Sequence, residues 1–283
     1  VLLLAFAAGS FTLTVRSSLQ HTGATAASAQ AAALAEAAAQ LAIFDLVNSR
    51  SNAAWQARFP PDGRTRACSI AGSQVLVTIA DEGGRVDINT GSESVLRALL
   101  IGLGVGAGEA GRLAASVADY RDGDDTRRQG GAERADYREA GREVGPKNAP
   151  FDHRLEIAQV LGMDGALAAR LQPHVTIHSG LTGVDPAHAS PALVDLLSAG
   201  ASTGAAPTMS GLGGSARLPP DLSAVSPQRT FAVTAQATGD RGATFALEAI
   251  VRLTGSRQTP YAVLGWAQVD ARTRSEARDN GDC

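Results

Sequence analysis

Six acidic side chains, Asp119, Asp122, Asp124, Asp125, Glu133 and Asp136, crowd one short stretch, with Gly123, Gly130 and Gly131 between them. Asp119 and Asp122 are three residues apart at the end of an apolar-periodic run, so they share a helix face. Carboxylates there meet the negative end of the macrodipole, at a cost of about 0.3–1 kcal/mol each unless something compensates. A hard cation is one remedy, since calcium takes about six to eight oxygens, often from Asp in Gly-containing loops plus a more distant Glu. The other remedy is the interleaved cations Arg121, Arg127, Arg128, Arg134 and Arg138. The residues alone leave both open, and the spacing is not that of an EF-hand.

No other constellation supports chemistry. Gly106-x-Gly108-x-x-Gly111 has the dinucleotide spacing but follows a helical pattern, so its context rejects it. His174 and His178 lie on a predicted strand, roughly 13 Å apart at about 3.3 Å per residue, too far to share a zinc ion. No Ser, Cys or His stands in a hydrolase motif. Leu103-Gly-Val-Gly106 between two helical runs is similar to a helix–hairpin–helix, whose first backbone N–H groups hold phosphate in DNA-binding proteins. A formal charge of −3 and acidic residues at the end of the second helix argue against nucleic acid.

The elements that must position these residues follow from periodicity. Uncharged sequence runs from Val1 to Val15, too short alone for the roughly 20 apolar residues of a span, and reads as the tail of a longer one. Ala27, Ala31, Leu34, Ala38, Leu41, Phe44 and Val47 form an apolar stripe, predicting one long helix over residues 1–55. Gln74–Ala80 reads as a strand, the turn Asp81–Gly84 follows, and Arg85–Ile88 completes a hairpin. Helices are predicted at Ser92–Leu100, Glu109–Tyr120, Leu155–Leu161 and Ala166–Leu171, with a short strand at Val175–His178. Val184–Leu197 echoes Val86–Leu99, each a capped turn opening a helix. Ala199–Pro227 is linker-like, three strands run over Thr230–Thr238, Thr244–Leu253 and Tyr261–Val269, and the tail after Asp270 reads as disordered. Cys68 and Cys283 are far apart in sequence: an oxidising compartment would allow a bridge, but the sequence does not place them near each other, and a bridge is the less favoured of the two outcomes.

The economical arrangement is an α+β fold, one sheet packed on the N-terminal helix with a helical insertion between its strands. The expected parts are residues 1–55, a β-domain of 56–88 with 225–270, an inserted α-domain of 89–224, and a tail of 271–283.

Val86-Asp-Ile-Asn-Thr90, Asp119-Tyr-Arg-Asp-Gly-Asp-Asp125, Gly131-Ala-Glu133, Gly145-Pro-Lys-Asn148, Phe151, Leu161-Gly-Met163 and Val175–Gly180 together resemble the general secretion pathway protein K family. These are the large minor pseudopilins of type II secretion. Leu247–Leu253 and Tyr261–Trp266 are similar to that family's closing strands. The resemblance implies a pilin-like long N-terminal helix packed on an antiparallel sheet, with a large α-helical domain inserted between strands. It implies a non-enzymatic component at the tip of a periplasmic pseudopilus. Minor pseudopilins I and J are the implied partners, the major pseudopilin is contacted indirectly, and no nucleic acid is involved. The first half of the helix would anchor the chain in the bacterial inner membrane by a single pass, with the rest in the periplasm. Family members carry calcium in the α-domain, which by position falls here on Asp119, Asp122, Asp124, Asp125, Glu133 and Asp136. The family's prepilin leader and cleavage site are not in this sequence, so the start reads as truncated.

Overall fold

The computed structural model describes residues 2–52, 57–202, 218–271 and 278–283. Side chains are described from Thr22 onward in the first helix, and not for residues 241 and 278–282. Most of the sequence-predicted linker (203–217) and part of the tail (272–277) lie outside the described residues.

The chain divides into two compact units, one of residues 1–80 with 231–283 and one of 81–230. In the first, helix α1 runs unbroken from Leu2 to Ser51, through Gly23. Its Ala-rich sequence favours helix strongly enough to absorb that glycine. The buried stripe begins as expected with Ala27, Ala31, Leu34 and Ala38, but continues through Ala35, Ala39, Ala42, Ile43 and Leu46. Phe44, assigned to it from sequence, is 54 % exposed. The cause is geometric. Successive steps of three fall about 60° behind a 3.6-residue turn each time, so the series 38, 41, 44, 47 rotates off the face. Small side chains let the backbone come close: a Cβ on Gly239 would lie 2.8 Å from the Ala27 carbonyl oxygen.

That stripe packs on a sheet of order β7-β6-β5-β2-β1-β8. β2 (Ser73–Asp81) buries Val75, Val77 and Ile79 in strict alternation, the signature of a half-buried strand. The expected hairpin between Gln74–Ala80 and Arg85–Ile88 is not formed. The antiparallel partner of β2 is the preceding strand β1 (Arg66–Ile70), joined to it through Ala71 and Gly72. Both connecting residues have positive φ, 50° and 78°, as a two-residue hairpin turn demands. Asp81–Gly84 is not a hairpin turn either: Glu82–Gly84 form a 3-10 helix capped by the Asp81 carboxylate.

β5 (Thr230–Thr238), β6 (Thr244–Leu253) and β7 (Tyr261–Gln268) lie where sequence places them. The tail departs from expectation: β8 (Arg278–Asp282) pairs in parallel with β1, and Cys283 is disulfide-bonded to Cys68. A covalent tie and a sheet edge give this segment partners that its charged composition does not reveal.

In the second unit, β3 (Val86–Asp87) pairs in parallel with β4 (Val175–Thr176). Around them stand α2 (Glu93–Gly102), α3 (Ala107–Arg121), α4 (Arg134–Glu139), α5 (Gly165–Leu171) and α6 (Pro191–Ser202). Ser92 caps α2 through its hydroxyl, which accepts from the Val95 N–H at 3.2 Å. Leu155–Leu161, expected as α-helix, holds only a 3-10 segment, Arg154–Gln159. The strand expected over Val175–His178 stops at Thr176. α4 has no counterpart in the sequence reading. α2 and α6 cross so closely that a Cβ on Gly200 would fall 1.9 Å from the Ala98 carbonyl oxygen.

Candidate functional site

The motif Val86-Asp-Ile-Asn-Thr90 builds the frame. Asp87 accepts at one carboxylate oxygen from the Asn89 N–H (2.8 Å) and at the other from the Gly180 N–H (2.7 Å), joining two segments far apart in sequence. The Asn89 side chain clasps Phe151, accepting from its N–H at 2.7 Å and donating to its carbonyl at 3.0 Å. Phe151 stacks on Tyr120, centroids 4.8 Å apart, near the end of α3. Arg121 donates to the Ile88 and Gly91 carbonyls, both at 2.7 Å. Its hydrogen bonds therefore go to the frame, while its charge still acts on Asp122.

On this frame the acidic residues separate into two groups. Asp119, in the last turn of α3, is fully buried, and Asp122 caps that helix. The Arg128 guanidinium bridges them, at 2.9 Å from Asp119 Oδ1 and in direct contact with Asp122 Oδ2. Glu133, 5 % exposed, precedes α4. Gly131 is obligatory between them, because a Cβ there would lie 2.0 Å from Asp119 Oδ2. The second group faces outward or is already engaged. Asp124 is exposed and accepts from the Thr126 N–H at 2.7 Å, which holds its carboxyl below the ordinary value. Asp125 accepts from the Asn148 amide at 2.9 Å. Asp136 accepts from the Glu133 N–H (2.9 Å) and from Arg127 (2.7 Å), and the first of these is the larger cause of its lowered pKa.

Several buried oxygens near the first group lack a hydrogen bond of ordinary geometry: Asp122 Oδ1, Oδ1 of Asn148, and both carboxylate oxygens of Glu133, which makes only a loose capping-box contact with the Asp136 N–H. Asn148 was not singled out as a ligand from sequence, yet its φ of 50° is a conformation asparagine tolerates better than most residues. Burial first, then the charges of Asp119, Asp122, Asp125 and Asp124, push the Glu133 carboxyl up to about 7. Buried polar atoms are normally paired, so this cluster calls for a proton, a cation or ordered water. Among the described residues no three His, Cys, Asp or Glu side chains form a ready-made metal cage. The oxygens left without an ordinary hydrogen bond are those of Asp122, Glu133 and Asn148, with the Asp119 charge acting on Glu133.

The remaining sequence candidates settle as structure. Gly106 caps α3, and Gly108 and Gly111 lie within that helix, so the dinucleotide spacing has no strand before it. Glu109 occupies the first turn of α3 and pairs with Arg112, placing negative charge where a phosphate would sit. His174 stands in a 3-10 turn, its pKa lowered by burial and then by Arg85.

Comparison with known proteins bears on this arrangement. Residues 76–180 match the family described as "Type II secretion system (T2SS), protein K". No curated protein matches the chain. Among solved structures, the fold is similar to a chain in the crystal structure of the GspK-GspI-GspJ complex from the enterotoxigenic Escherichia coli type 2 secretion system. The identity is 20 %, the TM-score 0.57, and the match covers 91 % of this chain and 100 % of that one. The likeness fixes the fold as α+β, a pilin-like long helix on a sheet with helical segments inserted. The match to the type II secretion system protein K family, over residues 76–180, takes in the acidic nest and its Asp87 frame.

Proposed function

We propose that this chain is a minor pseudopilin that assembles with pseudopilins I and J and closes the tip of the type II secretion pseudopilus, without catalysing a reaction. The observation that carries the reading is topological. β2 and β5 are neighbours in the sheet, yet the chain between them is the unit of residues 81–230, which holds most of the protein K region. Roughly half the chain is thus spliced between two adjacent strands, a bulk that a stacking subunit has no use for and a terminal one can carry. The similar solved chain belongs to a GspK–GspI–GspJ complex, which supports I and J as partners.

The helix from Thr22 to Ser51 is long and apolar enough to cross a membrane, but Leu34–Leu46 within it pack on the sheet, so this stretch is not itself the anchor. The inner-membrane anchor is read instead in the uncharged run of Val1–Val15, as the tail of a longer span.

In the inserted unit, Asp122, Glu133 and Asn148 are proposed to hold calcium. The ion would supply positive charge to the unpaired oxygens and tie the end of α3 to the start of α4.

Two experiments test the proposal. The full chain in detergent should co-purify with pseudopilins I and J of its own system, and failure to do so counts against the assembly. Replacing residues 82–229 with a short Gly-Ser linker should abolish secretion in cells lacking the native chain. Restored secretion would sink the tip reading. For the cation, calcium should raise the melting temperature and a chelator reverse it, with the response lost in Glu133→Gln combined with Asp122→Asn.

A further inference from the structure

The nest contains its own cation. Arg128 lies six residues beyond Asp122 and nine beyond Asp119, and it reaches back to both. Its backbone N–H points at Asp119, 3.3 Å from each carboxylate oxygen, and its Nη1 lies 2.9 Å from Asp119 Oδ1 and against Asp122 Oδ2. The guanidinium therefore occupies the outer side of the carboxylate pair. On the inner side, Asp122 Oδ1, the Glu133 carboxylate and Asn148 Oδ1 are buried without a hydrogen bond of ordinary geometry. Asp119 and Asp122 share the Arg128 guanidinium, and Arg121 acts on Asp122 from farther off.

We propose that Arg128 is a built-in competitor for the cation: a divalent ion binds this nest by displacing the guanidinium from Asp119 and Asp122, so the 122–131 loop exists in an arginine-held and a metal-held form. The proposal rests on the reading of the nest as a calcium site and adds what regulates it.

Three observations support displacement over coexistence. First, the Asp122 carboxylate is divided between the two sides, one oxygen on Arg128 and the other free in the interior. An ion on the free oxygen would sit one carboxylate away from a guanidinium, and the like charges repel in a site shielded from water. Second, Arg128 has a way out. Its side chain is 40 % exposed, and its Nε is already 3.2 Å from Glu93, a carboxylate 51 % exposed at the start of α2. Withdrawal from the nest keeps that partner and costs no core packing. Third, the loop can change. It contains Gly123, Gly130 and Gly131, and Gly130 adopts a φ of 83°. Asp119 and Asp122, which the ion would take over, hold it through Arg128, while Asn148 holds Asp124 and Asp125 and Arg127 pairs with Asp136.

The competing possibility is that Arg128 orients Asp122 and so favours the metal. Calcium titration of the full chain in detergent, by calorimetry at low salt, separates the two. If Arg128 competes, Arg128→Gln binds calcium more tightly, on the order of tenfold, the size of one lost charge-assisted hydrogen bond. The variant also melts at lower temperature in chelator and gains more on adding calcium than the parent does. Arg128→Lys, which keeps the charge without the fork, falls between them and serves if Arg128→Gln fails to fold. Equal or weaker binding by Arg128→Gln overturns the competitor role and leaves the site standing. No calcium binding by the parent chain overturns the site itself and this role with it.

Discussion

Cys283 lies across from Cys68 with their Cα atoms 5.2 Å apart, and the bond between them closes a separation of 215 residues. It fastens β8 along the free side of β1, where the Cys283 N–H also donates to the Ser69 carbonyl at 3.0 Å. The segment gains support from α1: Asp45, fully buried, accepts from the Phe59 N–H at 3.0 Å and pairs with Arg58, which in turn donates to the Cys283 carbonyl.

A loop of that length makes the bond stabilising chiefly through the unfolded chain. Reduction with a dithiol, or Cys283→Ser, should cost about 2–5 kcal/mol. Amide hydrogen exchange over Arg66–Ile70 should quicken, because β1 then becomes the sheet edge. Unchanged protection there would mean that β8 holds without its covalent tie.

Gly200 and Gly102 let α2 and α6 approach until backbone meets backbone. A Cβ at Gly200 would fall 1.9 Å from the Ala98 oxygen, and one at Gly102 2.2 Å from the Leu196 oxygen. Neither neighbour is a flexible side chain that could yield. Gly200→Ala should therefore destabilise the inserted unit by about 1–3 kcal/mol, despite alanine's better helix propensity. Urea denaturation checks the sign, and a stabilised variant would show that the helices can separate freely.

These features differ in how far the sequence disclosed them. β5, β6 and β7 were legible because each carries a long β-branched or alternating run. The partner of β2 was misassigned because Arg66-Ala-Cys-Ser-Ile70 alternates weakly, and its turn, Ala71-Gly72, looks ordinary until the positive φ values are known. β8 was missed since its composition is that of a solvated tail and only a contact distant in sequence orders it. In the acidic nest, residue type pointed to Asp119, Asp122 and Glu133. It could not tell them from Asp124 and Asp136, which differ in exposure and in what their neighbours donate. Asn148 was quoted within a motif but carries no charge to mark it as a donor.

Asp45 is a buried acid on an otherwise apolar face. Its Oδ2 holds the Phe59 N–H and Arg58 lies 3.6 Å from its Oδ1. Asp45→Ala would leave the Phe59 N–H without its acceptor and free the segment after α1, for a loss of about 1–3 kcal/mol. Asp45→Asn keeps an acceptor but loses the charge, and should cost less. Equal melting temperatures for the parent and Asp45→Ala would show that water replaces the carboxylate.

Glu133 gives the metal-free protein a pH dependence of definite sign. Its folded pKa is raised from 4.5 to about 7 by burial and by four neighbouring carboxylates. Between those values the folded state binds the proton that the unfolded state has released, so stability falls as pH rises from about 4.5 to 7 and then levels. The contribution is on the order of 1–3 kcal/mol. Glu133→Gln mimics the protonated form and should remove that part of the slope, leaving the variant more stable than the parent at pH 8 in chelator. Calcium should act in the opposite direction on the parent alone, because an ion that needs the ionised carboxylate gains as the proton leaves. Parallel pH profiles for parent and Glu133→Gln in chelator would mean that the carboxylate finds water inside the nest, and the case for a cation there would lose its main physical support.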